Sequence, residues 1–182
     1  LRWNHLYNNK KHFANVTGVV SNYTYDLGSS QGSSAFKWLS SIRFYNTKYD
    51  HTWYINSSNT FLFGGNIIYY SFNPGQTDPV AGASTFINPI KMEKKFAIEP
   101  NLYVSNEQVV NKKLTLQYGI RYNGFGQLGK SSVYTYKDPK NRLASEITDT
   151  TLYEAGKLIK YYQGLEPRIS FKYTVSKASS VK

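Results

Sequence analysis

Between Leu114 and Phe125 apolar and polar side chains alternate without interruption. Leu114, Leu116, Tyr118, Ile120 and Tyr122 fall on one side, and Thr115, Gln117, Gly119, Arg121 and Asn123 on the other. A period of two is the signature of an extended strand with one greasy and one wet face. The segment from Leu165 repeats it: Leu165, Pro167, Ile169, Phe171, Tyr173 and Val175 oppose Glu166, Arg168, Ser170, Lys172 and Thr174. Extended runs are also predicted over Phe13 to Tyr25, Phe36 to Ile55, Thr60 to Phe72 and Phe96 to Val110. In the last of these Phe96, Ile98, Pro100, Leu102 and Val104 form the apolar set. No stretch shows a convincing helical period.

The connections sort by length. Asn8 to Lys11, Asn56 to Asn59, Asn111 to Lys113 and Ser176 to Ser179 are short, whereas Asp26 to Ala35, Asn73 to Lys95 and Gly126 to Tyr162 are long, the last with a strand extension at Val133 to Lys137. Short and long alternate strictly along the chain. A soluble sandwich has no reason to do this, but an outer-membrane barrel has tight turns at its periplasmic end and long loops outside the cell. By the same rule Leu1 to Tyr7 reads as the end of a descending strand and Val181-Lys182 as the start of an ascending one. The expected fold is therefore all-β, a transmembrane antiparallel β-barrel. Residues 1–182 would form a single segment of it, with six full strands and two partial ones.

Composition agrees with that layout. Tyr occurs 17 times, Phe 10 and Trp 3, against one Met. Such a bias suits half-buried pleated surfaces and membrane interfaces, where a ring has one apolar side and one wet tip. No run approaches the roughly 20 apolar residues that a spanning helix needs, whereas a spanning strand needs only about 10 and its mean hydropathy stays polar. Trp3, Tyr7, Trp53 and Tyr54, with Tyr49, are placed near one rim. Phe125 and Tyr161, with Tyr23, Tyr25, Phe72 and Tyr162, are placed near the other, giving two aromatic girdles.

The net charge of +11 raises nucleic acid or an anionic membrane as partner. Many of the lysines sit at turns and loops, which favours a solvated or headgroup-facing surface and sets nucleic acid aside. There is no cysteine, so neither disulfides nor thiolate metal sites arise. His5, His12 and His51 read as too scattered for a metal site. No paired carboxylates, glycine-rich phosphate cradle or activated serine is present, so neither enzymatic activity nor a cofactor is expected.

The residues Leu1-Arg2-Trp3-Asn4-His5, Phe13 to Tyr25, Phe63-Gly64 through Phe72-Asn73-Pro74-Gly75, Tyr118-Gly119-Ile120-Arg121-Tyr122 and Leu165-Glu166-Pro167-Arg168-Ile169-Ser170, in this order, resemble the barrel of TonB-dependent receptors of Bacteroidetes-type bacteria. Membership would imply a 22-stranded barrel filled by an N-terminal plug, and uptake of a scarce nutrient such as a metal chelate, a vitamin or an oligosaccharide. Its partners would be the TonB energy-coupling system acting through that plug, outer-membrane lipid and lipopolysaccharide, and, for a starch-utilisation-type receptor, a surface lipoprotein. The chain holds no plug-like segment and no TonB box, and it does not end in an aromatic strand, so it reads as an internal piece of such a receptor.

Four charged residues, Arg121, Glu166, Arg168 and Lys172, are expected to face the lumen, either in salt bridges or as plug or substrate contacts. Tyr134, Tyr136 and Tyr153 are candidates for ligand contact in an external loop. Pro100 and Pro167 are expected at the rim, where a missing N–H matters least. Two other readings stay open: a complete eight-stranded outer-membrane barrel with a structural or adhesion role, and a secreted β-sandwich that binds carbohydrate or nucleic acid.

Overall fold

The computed structural model describes residues 1–8, 10–29, 31, 35–79 and 88–181, so Asn9, Lys182 and parts of two of the long connections lie outside the described residues. The strands are β1 (Arg2–Leu6), β2 (His12–Ser29), β3 (Phe36–Asn56), β4 (Asn59–Pro79), β5 (Ile90–Lys91), β6 (Lys95–Val109), β7 (Leu114–Leu128), β8 (Ser131–Tyr136), β9 (Ile147–Tyr153), β10 (Leu158–Ser176) and β11 (Ser179–Val181). One 3-10 turn, Ala144–Glu146, precedes β9, and there is no α-helix among the described residues. Among the described residues no helix is long and apolar enough to cross a membrane.

Every pairing is antiparallel, and the main sheet runs β1-β2-β3-β4-β6-β7-β10-β11 with β5 beside β4. Sequential neighbours pair throughout, so all the short turns lie at one end of the sheet and all the long connections at the other. The short turns are built by their own side chains. Asn56 Oδ1 accepts from the Ser58 and Asn59 amides, both at 2.9 Å. Asn111 Oδ1 does the same for Lys113 and Leu114, at 2.9 and 3.0 Å. An Asx side chain that mimics a backbone turn is what makes so short a reversal stable.

At the long-loop end β2, β4, β7 and β10 continue past their predicted boundaries, while β3 and β6 begin within one residue of theirs. The main hydrophobic pattern fades there, but pairing does not, because β2 and β3 stay in register to Ser29↔Phe36. At 21 residues β3 is about 70 Å long, more than twice what a bilayer core requires. In this extension β4 carries a bulge at Pro74-Gly75, where the register with β3 shifts between Leu39 and Ser41. A Cβ at Gly75 would fall inside the Trp38 ring, so the bulge can hold only glycine while Trp38 lies across it. The predicted strand at Val133 to Lys137 is half of a separate hairpin, β8–β9, whose second strand the sequence reading did not foresee.

The prolines depart from expectation. Pro100 pairs with Ile67 in mid-strand and interrupts the β6–β7 ladder between Ile98 and Asn101, as a residue without an N–H must. Pro167 pairs with Ile120 on β10, whose other side is open along most of its length. A proline is tolerated on such an edge.

The sheet is one layer thick. Among the described residues the buried apolar side chains are only Ala14, Ala35 and Ala97, while Val20 is 70% exposed, Leu102 62% and Ile169 81%. A soluble sandwich buries its large aliphatic and aromatic side chains between two sheets. Here they stand on an uncovered face.

Candidate functional site

The register decides which residues share a face, because directly paired residues point the same way. Across β7 and β10 the apolar pairs are Leu165↔Tyr122, Pro167↔Ile120, Ile169↔Tyr118 and Phe171↔Leu116. The alternating set is Glu166↔Arg121, Arg168↔Gly119, Ser170↔Gln117 and Lys172↔Thr115. Apolar pairs continue with apolar across the sheet. Val16 pairs with Tyr49, Tyr49 with Gly65, Gly65 with Leu102, Leu102 with Tyr122 and Tyr122 with Leu165.

On the apolar face each long strand carries one run: 12–20 in β2, opening on His12, 45–53 in β3, where Thr47 and His51 interrupt it, 61–69 in β4, 96–104 in β6, 114–122 in β7 and 165–175 in β10. Each has the ~9–11 residues that a membrane-crossing strand requires. The row through Val16 crosses the middle of its run in β2 but meets only the long-loop edge of the run in β10.

Aromatic side chains edge this band. At the short-turn end His5 meets Tyr7 edge-on, with ring centroids 4.5 Å apart, and His12 stacks on Trp53 at 5.4 Å, while Trp3, paired with Val16 within the band, stacks on His5 at 5.4 Å. The histidines that looked scattered are brought together by the pairing of His51 with Ala14 and of His12 with Trp53. His12 Nδ1 lies 3.1 Å from His51 Nε2, and Tyr49 Oη is 2.8 Å from His51 Nδ1. No group of three or more metal-ligating side chains forms among the described residues. At the other edge Tyr161 lies across Gly124 and Gly126, and its hydroxyl is 2.7 Å from that of Tyr122.

Of the six interface aromatics singled out from the sequence, Trp3, Tyr7, Trp53 and Tyr161 share the apolar face. Tyr54 and Phe125 do not: Tyr54 pairs with Thr60 and Phe125 with Tyr162, both on the polar side. Successive residues of a strand cannot point the same way, so Trp53 and Tyr54 could not both belong to one girdle.

Arg121, Glu166, Arg168 and Lys172 all fall on the polar face, which is charged and hydrogen-bonded along its middle. Tyr103 donates to Asp50 Oδ1 at 2.5 Å, and Lys48 Nζ reaches the same oxygen at 2.9 Å. Arg168 Nη2 is 2.8 Å from Glu166 Oε2, and Asn123 donates to Glu166 Oε1. Arg121 Nε is buried without a hydrogen-bond partner among the described residues.

Toward the long-loop end the same face turns aromatic, with Tyr23, Phe44, Tyr70, Phe72, Phe125 and Tyr162. Tyr70 and Phe72 stack at 5.4 Å and 15°, Tyr70 donates to Glu99 Oε2 at 3.0 Å, and Lys160 Nζ sits 5.0 Å above the Tyr162 ring. Sequence reading had assigned Tyr23, Phe72 and Tyr162 to the membrane girdle and passed over Phe44 and Tyr70. Counting two by two from Asp50 along β3 places Phe44 on the polar face, while the others follow only from the register between strands.

The loop candidates are parts of the β8–β9 hairpin. Tyr134 pairs with Thr150, Tyr136 with Ile147 and Tyr153 with Ser131, so alternation puts Tyr134 and Tyr136 on one face and Tyr153 on the other. They do not form one surface. Lys95 Nζ fastens the hairpin to the sheet, 2.6 Å from Ser131 Oγ and 2.7 Å from Glu93 Oε2.

No family model matches this chain, and no curated protein or solved structure matches it either.

Proposed function

We propose that the chain forms part of the wall of a bacterial outer-membrane β-barrel, with the apolar face in lipid and the polar face toward the lumen. One observation carries the reading: a band of apolar side chains about one bilayer core deep, continuous across six strands and edged by aromatics. The short-turn end is periplasmic and the extended end extracellular. Along β2 and β10 the outer edges of the sheet lack partners over most of their length. Unpaired backbone groups in hydrocarbon cost several kcal/mol each, so further strands complete the ring.

The class of barrel follows from the resemblance: a TonB-dependent receptor that takes up a scarce nutrient, driven through its plug. The aromatic upper part of the polar face, with Glu99 and Lys160 beside the rings, supports a zone of ligand contact at an extracellular mouth. Loss of growth on one limiting nutrient after removal of the protein, matched by removal of TonB, tests this class.

The membrane reading is tested by tryptophan quenching. With the protein folded into vesicles containing bromine-labelled acyl chains, single-tryptophan forms retaining Trp3 or Trp53 lose most of their emission. A form retaining only Trp38, on the polar side of the outer extension, does not. Equal, weak quenching of all three would sink the reading.

A further inference from the structure

The two acceptors that flank Arg121 are both committed elsewhere. Glu166 lies directly across the β7–β10 ladder from it, yet gives one carboxylate oxygen to Asn123 and the other to Arg168, 2.8 Å away. Tyr103 lies directly across the β6–β7 ladder and turns its hydroxyl to Asp50, which Lys48 already neutralises. None of the four ion pairs among the described residues includes Arg121. A guanidinium in this position is a planar fork of donors with one full charge left over, and a buried donor without a partner costs the desolvation it has already undergone.

Beside it, on the polar face, a groove of about 810 Å³ opens over Gly119. Its wall includes Arg121, Arg168, Gln117, Ser105 and Ser170 of the polar side, together with their apolar neighbours along the strands such as Ile120 and Pro167. A Cβ at Gly119 would press on the Val104 carbonyl and on Ser105 Cβ, so the floor is bare backbone. The groove combines an uncompensated cation, a second guanidinium held by a single carboxylate, and neutral hydroxyl and amide donors. That is the complement of a carboxylate or phosphate group.

We propose that this groove is an oxyanion-binding site, in which Arg121 supplies the principal contact and Arg168 the second, for a solute that carries a carboxylate or phosphate. The site requires only that the polar face be wetted, so it stands or falls apart from the transport reading. Glu166 acts as its built-in competitor, because the carboxylate that restrains Arg168 occupies part of the space an anion would take.

Equilibrium dialysis of the full-length protein in detergent, with inorganic phosphate in one arm and citrate in the other, tests the site. At least one probe binds saturably at one site per chain, and the arm that binds identifies the oxyanion. Arg121→Gln weakens that binding about tenfold or more, as loss of a charge-assisted contact should. Arg121→Lys, which keeps the charge but not the fork, falls between, and serves where the glutamine form does not assemble. Glu166→Gln moves the affinity in the opposite direction and tightens it several-fold. Lys137→Gln, removing a charge in the distant hairpin, leaves it unchanged. A merely structural Arg121–Glu166 cluster would shift both substitutions in the same direction, and that result overturns the proposal. So does the absence of saturable binding of either probe, the outcome expected if the carboxylate of another polypeptide segment covers Arg121.

Discussion

The two faces of the β7–β10 ribbon share one backbone and one register but follow different rules. On one, Ile169↔Tyr118 and Phe171↔Leu116 form apolar pairs in which Ile169, Tyr118 and Phe171 stay exposed and Leu116 is half-buried. On the other, Glu166, Arg168 and Asn123 are tied into a network. The apolar face is specified by what it lacks, since any uncharged side chain of sufficient greasiness suits a lipid contact. The polar face is specified by partners, and each change there leaves a named group unsatisfied.

The sharpest way to break this contrast is to put a charge on each face in turn. Ile120→Arg places a guanidinium within the apolar run of β7, where lipid-facing arginine costs about 2–4 kcal/mol near the bilayer midplane. Gln117→Arg adds the same group to the polar side of the same strand and stays within about 0.5 kcal/mol. Urea titration of the protein folded into vesicles reads the two directly. Comparable losses would mean that both faces are wet or both covered, and the lipid assignment would fail.

A gentler comparison removes one hydroxyl from each face. Tyr103→Phe takes the donor from Asp50 on the polar side and costs about 1 kcal/mol in the same titration, the net worth of a hydrogen bond to a charged group that still keeps Lys48. Tyr118→Phe, on the apolar side, removes an acceptor from Asn106. That amide still reaches Asn59 Oδ1 at 3.0 Å, so the loss is roughly a few tenths of a kcal/mol. A larger loss at Tyr118 than at Tyr103 would reverse the assignment of specificity to the polar face.

The alternation of faces was legible in the chain because a strand's period of two needs no tertiary information; Leu114 to Tyr122 and Leu165 to Val175 show it outright. So were the short turns, whose Asn56 and Asn111 build the reversals themselves. The long-loop ends of β2 and β4 were not legible, because these strands run on past the apolar band, where water-exposed pairing leaves no hydrophobic trace, whereas β3 begins at Phe36 as the sequence predicts. Nor was the meeting of His12 with His51, which depends on a register between strands about forty residues apart. The same register leaves Arg121 unsatisfied: sequence placed it on the polar face, but only the pairing shows that Glu166 and Tyr103 are both spent elsewhere. Among the girdle aromatics Tyr54 and Phe125 fall on the polar face, because proximity to a rim says nothing of phase along the strand, which is already visible in Trp53-Tyr54.

The smallest effect separates the sheet from the hairpin above it. The hydrogen bond from Lys95 holds the Glu93 carboxyl below its ordinary value; partial desolvation opposes this, and the attraction of the lysine charge adds to it. Because the folded value is the depressed one, the contact is fully present above the unfolded glutamate range, about 4.3, and is lost as pH falls through the lower folded value. Ser131 shares both groups, at 2.6 Å from Lys95 Nζ and 3.3 Å from Glu93 Oε2, so the loss is felt where β8 begins. Amide exchange in β8, corrected for its intrinsic pH dependence, accelerates only as pH falls below the unfolded glutamate range, while exchange in β7 and β10 does not change. Both side chains are largely solvated, which keeps the effect small. In Glu93→Gln the acid response disappears and exchange at neutral pH is slightly faster; an acid response that survives the substitution would place the hairpin's anchorage elsewhere.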